Sequence, residues 1–155
     1  MKRMGNYRII DAHNHPDWYG YNLARFLQNM EKCGIERTWL LSWEAPQDEY
    51  DPNYRSVIPD ADDSGPISFR RCAAYAEQAP EKFILGYMPD PRRPDAIDRL
   101  KSAIDLYGVR VCGEFKLRMM CDNPDAIRLF RFCGERGLPV VVHLDYPFDT
   151  GFAYP

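Results

Sequence analysis

The stretch IIDAHNHPDWYG, residues 9–20, decides how the fold is read. The apolar, β-rich run YRIIDAH (7–13) ends abruptly in polar and turn-forming residues, the punctuation of a short strand that feeds a loop. Two of the chain's three histidines, His13 and His15, stand two residues apart at that point. Side chains alternate across a strand, so both point the same way, together with Asp11. An imidazole removed from water needs a partner for each ring nitrogen. Two on one face are costly unless they share a task.

Outward from this strand, the periodicity alternates. Residues 22–32, NLARFLQNMEK, place Leu23, Phe26, Leu27 and Met30 at helical spacing, with Gly34 as a stop. RTWLLSW (37–43) reads as a second strand. Residues 44–65 carry three prolines and seven acidic residues, too irregular for a regular element and therefore a long loop of the kind that carries function. The pattern then predicts a helix from Pro66 to Ala79, a strand over FILGYM (83–88) and a helix over 92–107 with Pro94 in its first turn. GVRVCGEFKL (108–117) is a fourth strand. A helix over 123–137 follows, with Asn123 as cap, Pro124 at its first position and Gly137 as stop, and LPVVVHL (138–144) is a fifth strand. Near-continuous apolar strands alternating with amphipathic helices predict an α/β fold with a parallel sheet covered by helices, either an open doubly wound sheet or a (β/α) barrel. No repeat or linker divides the chain, so 1–155 reads as one domain.

Composition narrows the partners. The 155 residues are 45% hydrophobic and 28% charged, with a formal charge of -3, an ordinary globular balance. Basic residues are interspersed with acidic ones, which argues for a small-molecule substrate and against nucleic acid or a membrane as partner. No apolar run approaches the roughly 18–20 residues of a membrane span, and the N-terminal run is too short for a signal segment, so a cytoplasmic location is expected. The five cysteines form no CxxC pair and read as reduced, buried thiols.

All three histidines fall at C-terminal ends of predicted strands: His13 and His15 after the first, His143 after the fifth. In parallel α/β folds that edge is where sites are built. Imidazole is a common ligand for divalent metals, and three such ligands with an open position lower the pKa of bound water. The competing reading makes His13 and His15 a turn pair bonded to backbone and His143 a satisfied core residue. Glu114 and Lys116 share a face near the end of the fourth strand. They read either as a salt bridge or as catalytic groups, since an amine with apolar neighbours has a lowered pKa. Arg118 is a candidate for a substrate carboxylate, with an ion pair as its alternative. Trp18, Tyr19 and Trp43 are candidate walls of a pocket for a flat substrate, with packing as the alternative.

DAHNH (11–15), joined to GEFKLRMMCDNPDAIRLFRFCGERGLPVVVH (113–143), resembles the amidohydrolase superfamily. The similar group contains metal-dependent hydrolases, lactonases and non-oxidative decarboxylases of the aminocarboxymuconate-semialdehyde decarboxylase type. The resemblance implies a (β/α)8 TIM-type barrel, this chain covering about the first five strands and four helices. It implies His13 and His15 as first-strand metal ligands, His143 as the fifth-strand ligand, and a divalent metal, zinc first. Some members carry a carboxylated lysine in the segment that holds Lys116.

The chain departs from that pattern, because a strand-six histidine and a strand-eight aspartate are expected and the sequence ends at YPFDTGFAYP, just after the fifth strand. Asp145 and Asp149 do not stand where an eighth strand would place its aspartate. The reading that follows is an N-terminal part of a longer enzyme or the product of an interrupted frame. Its open apolar edge would call for a partner or a second copy, a homo-oligomer. The activity implied is attack of metal-activated water on an amide, ester or lactone carbonyl. The alternatives are decarboxylation of an aromatic or unsaturated acid, or an inactive barrel fragment. A nucleotide-binding open sheet is set aside, since HNHPDWYG stands where a glycine-rich phosphate loop would be.

Overall fold

A computed structural model describes residues 7–49 and 65–144. Among the described residues, five short parallel strands alternate with four helices: β1 (Ile9–Asn14), α1 (Leu23–Cys33), β2 (Ile35–Leu40), α2 (Phe69–Gln78), β3 (Phe83–Leu85), α3 (Ala96–Tyr107), β4 (Cys112–Phe115), α4 (Pro124–Glu135) and β5 (Val140–Val142). Short 3-10 turns lie at Trp18–Gly20 and Gln47–Glu49.

β1 pairs with β2, β2 with β3, and β4 with β5, all in parallel. The two groups join where the Arg110 N–H donates to Leu85 O (3.0 Å) and the Tyr87 N–H to Val111 O (3.0 Å). Gly86 lies at that junction, where a Cβ would stand 2.4 Å from the buried Leu41 side chain. Each strand therefore neighbours the next in sequence. A doubly wound sheet reverses its order at a switch point, whereas this order runs 1 to 5 without reversal, which is the winding of a barrel wall.

The helices form where the sequence caps them. Asn22 accepts from the Arg25 N–H, Ser68 from the Arg71 N–H and Asn123 from the Asp125 N–H, each satisfying a donor that the first helical turn leaves open. Gly34 and Gly108 end α1 and α3 in the left-handed conformation. Their inward stripes, Phe26 and Met30, Cys72 and Tyr75, Leu100 and Ala103, Leu129 and Cys133, close over the sheet.

Several boundaries differ from the sequence pattern. The regular strands are shorter than the apolar runs, and isolated bridges carry the pairing further: Leu41 and Trp43 are buried beyond the end of β2, and Trp43 bridges to Ile67 and Met88. α2 starts at Phe69, not Pro66, because Ser68 caps it. Pro94 lies before α3 rather than within its first turn. Cys72, Cys112 and Cys133 are buried thiols as expected, but Cys33 and Cys121 are exposed. Most of the long loop, residues 50–64, lies outside the described residues, as do Asp145 and Asp149. Among the described residues no helix is long and apolar enough to cross a membrane.

Candidate metal centre

The C-terminal ends of β1, β4 and β5 meet at one point. His13, near the end of β1, brings Nε2 to 3.0 Å from Glu114 Oε2. His15, one residue beyond the strand, brings its Nε2 to 3.2 Å from the same oxygen. His143, just past β5, pairs through Nδ1 with the other oxygen, Glu114 Oε1. Its position is fixed by the backbone, since the His143 N–H donates to Phe115 O (3.1 Å). One carboxylate thus faces all three histidines of the chain. Exposure is graded: the Glu114 side chain is 1% exposed, His15 10%, His143 24% and His13 43%.

The electrostatics follow from that arrangement. Burial by itself would raise the Glu114 pKa, but hydrogen bonds from His13, His143 and His15 outweigh it and hold the carboxyl far below the usual range. The hydrogen bond to Glu114 raises His13, against its partial burial. Asp11 does not join the cluster as a donor. Its carboxylate accepts from the His13 N–H (3.1 Å) and from Asn14 Nδ2 (2.8 Å), bracing the irregular end of β1.

The donor chemistry fits a cation. His15 Nδ1 lies 2.9 Å from Leu41 O, and a carbonyl oxygen only accepts, so Nδ1 carries a proton. In the neutral ring Nε2 then presents a lone pair toward the Glu114 carboxylate. Two lone pairs facing each other at that distance call for a proton or a metal ion between them. His13, Glu114 and His143 supply ligand atoms within 4.8 Å of one another, with His15 beside them. Imidazole and carboxylate together suit zinc and other first-row divalent ions.

The other candidate residues surround this point at increasing distance. Trp18 and Trp43 both pack against His15, with ring centroids at 5.5 and 5.3 Å. Lys116 Nζ lies 5.8 Å from the Trp43 ring centroid, and its charge reaches His13, whose pKa it lowers. Tyr19 packs edge-on against Trp18 (5.4 Å) and is largely exposed. Arg118 is exposed in the loop after β4, where its N–H donates to Glu49 Oε2 (3.2 Å). A pocket of about 200 Å³ opens beside His15, walled by Trp18, Tyr19, Tyr21 and Phe26. A larger groove of about 1010 Å³ lies over β3, beside α2 and the end of α3, and is lined by none of these residues.

Sequence reasoning missed the residues that hold the flanking aromatics. Asp17, buried next to Trp18, is gripped by Arg71 and Tyr75 of α2, and Glu44, buried next to Trp43, by Tyr87 and Arg99. Their signal was present but faint, as Arg71 and Tyr75 stand at i, i+4 on one helix face.

Solved structures with this fold are known. An uncharacterized TIM-barrel protein from Bordetella bronchiseptica superposes with a TM-score of 0.64 at 17% identity, over 96% of this chain and 59% of that one. The fold is part of a TIM barrel. A probable 2-pyrone-4,6-dicarboxylic acid hydrolase from Acinetobacter baumannii, with citric acid bound, matches with a TM-score of 0.57 at 13% identity, over 88% and 49% of the two chains. The 2,6-dihydroxybenzoate decarboxylase from Rhizobium matches with a TM-score of 0.52 at 18% identity, over 91% and 51%. The chain spans about half the length of these barrels. No protein-family model and no curated protein matches it.

Proposed function

We propose that this chain forms the metal-binding part of an amidohydrolase-superfamily enzyme, with His13, His15, Glu114 and His143 holding one divalent ion, zinc first, and that the reaction is hydrolysis of an amide, ester or lactone. The observation that carries this reading is the His15 ring, fixed at Nδ1 by Leu41 O and aimed through Nε2 at a buried carboxylate. A bound ion of this class polarises a carbonyl and lowers the pKa of a water. Glu114, assigned from sequence as a catalytic group, is proposed here as the buried anion that balances the ion and orients the imidazoles. Lys116, over Trp43, supplies a fixed positive charge for the substrate's developing oxyanion or carboxylate. Trp18, Tyr19 and Trp43 exclude water and pack a flat substrate, and Arg118 orients a carboxylate at the rim.

Decarboxylation of an aromatic or unsaturated acid is the second reading, supported by the aromatic walls of the pocket beside His15 and by a structural neighbour that is a decarboxylase. Elemental analysis and zinc titration of the purified chain, with His13→Ala, His15→Ala, His143→Ala and Glu114→Gln, test the centre. About one zinc per chain, lost in each variant, is expected; a wild type that binds none overturns the proposal. Assays of loaded protein on lactones, amides and aromatic acids then separate the two reactions.

A further inference from the structure

The two tryptophans that flank His15 are each adjacent in sequence to a buried carboxylate, and each carboxylate is gripped by one arginine and one tyrosine. Beside Trp18, Asp17 accepts from Tyr75 Oη (2.7 Å) and from Arg71 through Nη2 (3.0 Å) and Nε. Beside Trp43, Glu44 Oε1 accepts from Tyr87 Oη (2.6 Å) and from Arg99 Nη2 (2.5 Å), while Arg99 Nε also donates to Tyr87 Oη (3.2 Å). The first grip holds an unfavourable backbone: Asp17 (φ 58) and Tyr19 (φ 50) are both in the left-handed region on either side of Trp18. Residues with a Cβ stay there only when their surroundings hold them. The second grip fixes a backbone already tied down, since the Glu44 N–H donates to Met88 O (2.8 Å).

We infer that Asp17–Arg71–Tyr75 and Glu44–Tyr87–Arg99 are paired positioning devices that lock Trp18 and Trp43 around His15, so that the ring keeps Nδ1 on Leu41 O and presents Nε2 to the Glu114 centre. This rests on the metal-centre reading for its purpose, but not for its geometry. The arginines and tyrosines bond to the Asp17 and Glu44 carboxylates. They act through the carboxylates, the carboxylates through the loops, and the loops through the indoles that hold the imidazole plane. A ligand held by such outer contacts typically loses about 10–100-fold in metal affinity when they are removed.

The test uses imidazole nitrogen NMR on the metal-free full chain, followed by zinc titration, for wild type, Arg71→Met, Glu44→Gln and the control Asn123→Ala, which removes a distant helix cap. Wild type is expected to show a slowly exchanging His15 Nδ1 proton. Arg71→Met and Glu44→Gln are expected to lose it and to bind zinc about 10–100-fold more weakly, while Asn123→Ala keeps both at comparable thermal stability. Should either clamp variant fail to fold, Tyr75→Phe and Tyr87→Phe, each removing a single hydroxyl, give the same comparison. A protected Nδ1 proton and unchanged zinc affinity in the clamp variants overturn the inference, as does a wild type without that protected proton. A wild type that shows the proton, loses it in the clamp variants and never binds zinc overturns the metal centre and leaves the clamps standing.

Discussion

The middle of the sheet and its two outer strands contribute different things to the same site. β4 is buried along its whole length and holds Glu114 between β5 and the β3 junction. β1 and β5 carry the histidines and are far more open, with Ile9 and Ile10 each 46% and Val142 39% exposed. The costly element, an anion out of water, sits where packing allows least relaxation. The imidazoles stand at and just past the ends of the two outer strands, where His13 and His143 keep partial exposure.

That contrast can be broken by substitution. Leu40→Ala in β2, at a side chain with no exposure, is expected to cost about 2–5 kcal/mol, read as a lowered urea midpoint; a loss below about 1 kcal/mol would mean the interior strands are no firmer than the edges. Glu114→Gln keeps the side chain's shape and removes its charge. It is expected to weaken zinc binding by about 100-fold or more, measured by competition with a chelator, and an affinity equal to wild type would take Glu114 out of the centre. Ile10→Ala, on the open strand, should cost less than about 1 kcal/mol, and a cost matching Leu40→Ala would erase the distinction.

The smallest effect sharpens the same contrast at the surface. Arg8, at the entry to β1, pairs with Glu36 of β2 through two hydrogen bonds, and the bond from Arg8 holds the Glu36 carboxyl below the ordinary glutamate range. A depressed carboxyl contributes stability at neutral pH that is lost as pH falls through its folded-state pKa. Because both groups are in water, the contribution is small and screened by salt. Arg8→Ala should therefore flatten the acid limb of the stability profile slightly, at low ionic strength only, in a melting series from pH 6 to pH 3. An equal change at high salt would mean the pair acts through packing instead.

Much of the fold was legible because helical and strand periods, caps and glycine stops are local. Asn123 and Pro124 begin α4 and Gly137 follows its end at positive φ, as their chemistry requires. Strand ends were less legible, since backbone bonds run on past the regular strands, as in Ser42 N–H to Gly86 O (3.3 Å) and Met88 N–H to Ser42 O (3.0 Å), and keep Leu41, Ser42 and Trp43 buried. In the site, the histidines declared themselves by falling at one edge. The role of Glu114 did not, because its contact with His13 joins residues 101 positions apart and depends on how three strands meet. Arg71 offered only a cation on a helix, and nothing in its neighbourhood of sequence pointed to Asp17.

The carboxylate clamps are supplied out of turn. The loop after β1 is held by α2, which follows β2, and the loop after β2 by Tyr87, which follows β3, and by Arg99 of α3. Even the carbonyl that fixes His15 belongs to the following strand's end. Each unit is overlapped by its successor like a course of roof tiles, so no single strand–helix unit can carry the site. The centre, with His15 seated on the second unit's carbonyl, Glu114 on β4 and His143 past β5, draws on every unit from the first strand to the fifth.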